Sequence, residues 1–122
     1  MREDRFLYVL LALIVIVFFG IGALYAIYTP PWQAPDEPAH YNYIAQVATE
    51  GCCPIIAPGD WDAEYLEELK AAQFPEEADL SAIEYEDHQP PLYYLAALPV
   101  YRLSGGGLTA LRLLSLVFGA GV

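Results

Sequence analysis

FLYVLLALIVIVFFGIGALYAIY, residues Phe6–Tyr28, decides the architecture: 23 consecutive residues without a charged side chain. At about 1.5 Å of rise per residue, a helix of that length exceeds the roughly 30 Å hydrocarbon core of a bilayer. A cleaved signal peptide has a shorter apolar core, about 7–15 residues, and a small-x-small site after it. No such site precedes Thr29-Pro30-Pro31. The stretch therefore reads as an uncleaved transmembrane helix, residues 6–28. Tyr25, Tyr28 and Trp32 fall where an aromatic interfacial belt is expected. Arg2 and Arg5 flank the start, and the positive-inside rule counts Lys and Arg rather than net charge. Residues 1–5 are accordingly expected to be a cytoplasmic tail, with the following stretch extracytoplasmic.

The rest of the chain has the opposite character. The 122 residues are 57% hydrophobic yet carry 16 acidic against 5 basic side chains, a net charge of −11. Apart from Glu3 and Asp4, every acidic residue lies between Thr29 and Tyr101, where Lys70 is the lone Lys or Arg. A nucleic-acid partner is excluded, because no basic stripe exists to neutralise phosphates. A disordered acidic tail is excluded by the ten tyrosines. Residues 108–122 are again apolar, interrupted by Arg112, and read as an incomplete second transmembrane helix. The fold class expected is an all-α membrane protein, with an acidic extracytoplasmic loop (29–107) bearing interfacial helices. The chain reads as the N-terminal part of a larger protein.

Within the loop, Pro30-Pro31-Trp32-Gln33-Ala34-Pro35 suggests a rigid extended linker. Asp36, with Glu37 and Pro38 behind it, suggests a helix N-cap opening a helix over about 36–50, with Tyr41, Ile44, Ala45 and Ala48 as its apolar stripe. Trp61, Tyr65, Leu69 and Ala72 mark a second helix over about 61–73. Phe74–Asp87 is acidic, lacks a clean period and reads as a solvated loop. Pro90-Pro91 starts a third helix over about 91–103 that contains Pro99. Gly105-Gly106-Gly107 reads as a hinge into the second membrane segment.

Several residues could carry chemistry. Asp36 and Glu37 are adjacent carboxylates at a helix start, suited to a general base or to a cation ligand; the plainer reading of Asp36 is a cap that complements the helix dipole. His40 sits a turn further on, and His88 follows Glu86-Asp87. Asp36, Glu37, His40 and His88 are thus the candidate ligands of a divalent cation, although their spacing forms no metal signature. Arg112 either snorkels or meets an anion. Cys52-Cys53 are either free thiols or a vicinal disulfide. No phosphate-binding glycine motif and no nucleophile elbow occurs.

At these residues the chain resembles the opening of the GT-C glycosyltransferases, polytopic enzymes that include protein O-mannosyltransferases and lipid A aminoarabinose transferases. Asp36-Glu37 is similar to the Asp-Glu pair at the start of their first extracytoplasmic loop. His88-Gln-Pro-Pro-Leu-Tyr-Tyr94 resembles the His-Pro-Pro-Leu stretch that opens a later interfacial helix. Leu111-Arg112-Leu-Leu-Ser115 resembles the start of their second membrane helix. The resemblance implies sugar transfer from a polyprenyl-phosphate donor to an extracytoplasmic acceptor at the plasma membrane. It implies Asp36 as the base that deprotonates the acceptor and Glu37 as its electrostatic support or a cation ligand. The family's further membrane helices and donor-binding basic residues are not in this sequence, so the stretch alone is expected to be inactive. The alternative is a non-enzymatic membrane-anchored protein whose acidic loop binds cations or a partner. A transporter is disfavoured because the polar residues lie in the loop.

Overall fold

The computed structural model describes residues 2–122, with side chains from Asp4 onward. Met1 and the side chains of Arg2 and Glu3, part of the expected cytoplasmic tail, lie outside the described residues. Among those described there are five helices and no strand: α1 (Arg2–Tyr28), α2 (Glu37–Thr49), α3 (Ala63–Ala71), α4 (Leu92–Leu103) and α5 (Leu108–Gly119). The all-helical expectation holds, and each expected helix has its counterpart with ends shifted by a few residues. Residues 2–5 are the first residues of α1.

From Asp4 to Tyr28, α1 is long and apolar enough to cross a membrane, and its most apolar window buries nothing inside the protein. At its far end it packs on α5, which lies between α1 and α4. Gly22 makes the approach close: a Cβ there would overlap the Leu116 side chain. At 12 residues, α5 measures about 18 Å, short of a bilayer core.

The chain leaves α1 in turns, not in the extended linker suggested by its prolines. Gln33 N–H bonds to the Pro30 carbonyl and Glu37 N–H to that of Ala34. Each turn has proline at its second position, Pro31 or Pro35, and a left-handed residue at its third, Trp32 (φ 68°) or Asp36 (φ 57°). That is the pattern of a type II turn, in which proline presets the first φ and the next must be positive.

The main core joins α2 to α4: Tyr43, Ile44 and Val47 pack on Tyr94 and Ala97, with Leu111 of α5 closing it. A second core forms where Ala39 of α2 meets Leu66 and Leu69 of α3 and Ile83. With both neighbours to cover, the buried face of α2 is wider than the expected stripe and centres on Ala39, Tyr43, Ile44 and Val47, leaving Tyr41, Ala45 and Ala48 half-buried. On α3, Leu66 replaces Trp61 and Ala72, which are exposed. Residues 74–87 are not a solvated loop. They form a strap of successive turns that covers α2 and α3, held by the Asn42 side chain, which donates to the Leu80 and Ile83 carbonyls.

Gly105-Gly106-Gly107 is a structured stop. With Ser104 as the last residue of the turn, Gly106 N–H reaches the Tyr101 carbonyl and Gly105 N–H that of Arg102. This is a Schellman closure, which needs the positive φ that Gly105 adopts. Cys52 and Cys53, in an exposed loop, form a vicinal disulfide across a cis peptide bond.

Candidate functional site

The first turn of α2 gathers the predicted residues and then separates them. Glu37 turns toward α1 and α5 and meets Arg112 of α5. The guanidinium donates from Nε to Glu37 Oε1 (2.6 Å) and from Nη2 to Oε2 (2.7 Å). Its other N–H groups reach the carbonyls of Ala26 (3.2 Å), Thr29 (2.7 Å) and Pro30 (3.0 Å). A guanidinium has five N–H donors, and all five are engaged. The last carbonyls of α1 lack partners within their own helix, and α1 has no basic residue in its last turn. Arg112 supplies from another helix the cation that such an end favours. Of its two readings the anion holds, and the anion is the Glu37 carboxylate of this chain.

Glu37 is equally occupied. Its Oε2 also accepts the Trp32 backbone N–H (2.8 Å), so neither oxygen lacks a donor. Glu37 and Arg112 together form a junction that ties α1, the proline turns, α2 and α5.

Asp36 faces away from that junction. It holds the N-cap position, but at φ 57°, ψ 7° its side chain makes no capping bond. Side-chain capping needs an extended backbone there, so the plain capping role is overturned. Instead Asp36 Oδ1 accepts the Tyr85 hydroxyl (2.7 Å) from the strap. Burial, then the bond to Asp36, pushes the Tyr85 phenol well above its ordinary range. The tyrosine therefore remains a donor to this carboxylate.

His40 Nδ1 shares a hydrogen bond with the Tyr94 hydroxyl (2.8 Å). Tyr94 stacks on Tyr43, and its phenol is raised chiefly by burial, then by Glu86. Glu86 is 8% exposed and its Oε2 has no hydrogen-bond partner. His88 is exposed just after the strap, its Nδ1 hydrogen-bonded to the Tyr85 carbonyl. The four candidate cation ligands thus do not converge: Glu37 is taken by Arg112, Asp36 by Tyr85, His40 by Tyr94, and His88 lies apart. These residues do not fit a divalent ion. Among the described residues, the one group of carboxylates that does converge is Asp60, Glu84 and Asp87, with oxygens within 4.8 Å of one another. Burial and mutual repulsion raise the carboxyls of Glu84 and Asp87.

Two cavities flank the 34–37 segment. A cleft of about 700 Å³ opens between α1, α2, α4 and α5, mostly apolar, with Glu37, His40, Gln89, Tyr94 and Arg112 at its polar end. A smaller cavity of about 320 Å³ lies on the other side and contains Asp36 and Tyr85. Sequence reasoning misses Tyr85 and marks Glu86 only as a carboxylate beside His88, because nothing in the spacing of an acidic stretch shows which members fold inward. The paired Pro-Trp and Pro-Asp of the turns were the available signal for where Asp36 would point. The chain matches no family model, no curated protein and no solved structure.

Proposed function

We propose that this chain supplies the first membrane helix and extracytoplasmic loop of a polytopic membrane glycosyltransferase of the GT-C type. The enzyme transfers a sugar from a polyprenyl-phosphate donor to an extracytoplasmic acceptor at the plasma membrane, with the N-terminus cytoplasmic. One observation supports this reading above the others: Asp36 is a carboxylate that is positioned but not consumed. Its Oδ1 is held by one tyrosine hydroxyl, while the neighbouring Glu37 is fully satisfied elsewhere. A base needs that combination of fixed placement and spare basicity.

In the reaction, Asp36 takes the proton of the acceptor hydroxyl. The oxygen attacks the anomeric carbon, the bond from that carbon to the phosphate oxygen breaks, and polyprenyl phosphate leaves with the electron pair. Glu37 and Arg112 act as a neutral structural pair, so the electrostatic support first expected of Glu37 is replaced by positioning. No step runs through a metal ion.

Asp36→Asn tests the base. It preserves size and removes basicity, and no capping bond is at stake. Transfer from a polyprenyl-phosphate sugar, assayed in membranes containing the full-length enzyme, should fall about 10²–10⁴-fold at normal protein level. Activity within a few-fold of wild type would overturn the role. The non-enzymatic, cation-binding alternative draws on the Asp60, Glu84 and Asp87 group; it expects Asp36→Asn to change nothing, since Asp36 is not a member.

A further inference from the structure

We infer that the smaller cavity beside Asp36 is an acceptor pocket for a neutral sugar ring. The inference rests on the glycosyltransferase reading and assigns the substrate class that reading leaves open. Geometry comes first. Ala34 and Pro35 line both cavities, so a single segment of backbone separates them. Asp36 lines only the smaller one, whereas Glu37 lines only the larger. Of the two cavities, only the smaller brings a bound hydroxyl to Asp36.

The walls then narrow the ligand. Trp32, Phe74 and Tyr85 contribute aromatic rings, and Asp36 and Gln33 contribute polar groups. The C–H faces of a pyranose are apolar and pack on aromatic rings, while its hydroxyls seek a few placed acceptors and donors. Small-molecule sites commonly combine these two features. Trp32 and Asp36 are the third residues of the two consecutive turns, and their left-handed backbone brings both to this cavity.

Charge disfavours an anionic acceptor. Lys70 is the one cation on the wall, and its ammonium is already bound to Glu67 at 2.9 Å. Asp36 and a chain of net charge −11 repel a phosphate or carboxylate. Size argues against an extended peptide. About 320 Å³ sits at the low end of the roughly 300–1,000 Å³ of ligand pockets, room for about one ring.

The test is saturation-transfer NMR on the full chain in a detergent lacking a sugar head group. The probes are the methyl glycosides of mannose, glucose and galactose. At least one should receive saturation at its ring C–H protons. Asp36→Asn should weaken that glycoside at least fivefold, and Phe74→Ala should abolish transfer. Glu76→Gln, a charge removed outside the cavity, should leave it unchanged. Phe74 also packs in the second core, so the isosteric Asp36 variant decides the matter if Phe74→Ala fails to fold. Silence from all three glycosides would overturn the inference. So would equal binding in Asp36→Asn, or binding of a capped Gly-Ser-Gly peptide or inorganic phosphate in their place. Glycoside binding that depends on Asp36, with no polyprenyl-linked transfer by the full-length enzyme, would retain the pocket and remove the enzyme reading. Transfer to a non-sugar acceptor without glycoside binding would do the reverse.

Discussion

Arg112→Met is the most informative perturbation of the junction. The Arg112 and Glu37 side chains are 13% and 11% exposed, so water cannot readily replace either partner. Methionine is unbranched and a good helix former, so the helix itself should persist. What disappears is polar: two bonds to Glu37 and three to the carbonyls of Ala26, Thr29 and Pro30. Glu37 would keep the Trp32 amide alone. Removing one member of a buried pair costs about 3–5 kcal/mol, mostly as the penalty on the stranded charge. The Pro30 carbonyl sits at an exposed bond and recovers water, so it adds little. We expect a loss of about 4 kcal/mol, a large share of a typical stability of about 5–15 kcal/mol. Denaturant titration of the detergent-solubilised chain, followed by tryptophan fluorescence, measures it. Glu37→Gln should cost less, because Arg112 retains three carbonyls, and the double variant should fall short of the sum by more than about 1 kcal/mol. Swapping the charges, Glu37→Arg with Arg112→Glu, should fail to restore stability, since a glutamate cannot donate to those carbonyls. A loss below about 1 kcal/mol for Arg112→Met, or strict additivity in the double variant, would refute the clamp.

Two further outcomes follow from packing and burial. Gly22→Ala should destabilise by about 1–3 kcal/mol through overlap with Leu116, whereas Gly20→Ala, with nothing within 4 Å, should gain about 0.5–1 kcal/mol of helix stability; thermal unfolding of the two variants side by side separates them. The carboxyls of Glu84 and Asp87 are raised from 4.5 and 3.8, mainly by burial. The folded state therefore holds these protons more tightly than the unfolded one, and stability should rise as pH falls through the raised values, levelling at the ordinary ones. Unfolding midpoints across that range should show this slope, flattened in Glu84→Gln with Asp87→Asn; an unchanged slope in the double variant would contradict the assignment.

The membrane-length helix was legible because a charge-free run is a local property that needs no partner. Helix positions were legible for the same reason: prolines, glycines and apolar spacing punctuate the chain where it stands. Partnership was not. Glu37 and Arg112 are 75 residues apart in sequence, and a glutamate next to an aspartate carries no mark of which one will find an arginine. The strap shows the same limit from the other side. Glu86 and Asp87 looked solvated among so many acids, yet they are 8% and 6% exposed, because they lie between Tyr85, which reaches Asp36, and Tyr94, which stacks on Tyr43 of α2. Asp87 is carried inward with a Gln46 amide to meet it, while Glu86 is left with an unpartnered oxygen.

Asp36 is the instructive case, because composition and position both suggested a cap. Proline at the preceding residue presets the first φ of the turn, its third position is left-handed at φ 57°, and aspartate tolerates that conformation better than most residues. Once the backbone turns that way, the carboxylate swings off the helix end, and Glu37 inherits the inward side. Two adjacent carboxylates that look equivalent in sequence are thereby given opposite tasks by one backbone angle. One is neutralised to hold α1 and α5 together, and the other is presented beside aromatic rings with a tyrosine hydroxyl to steady it. Replacing the proline, not the aspartate, would remove the cause: in Pro35→Ala the turn loses its preset φ, and the distinction between the two carboxylates loses its origin.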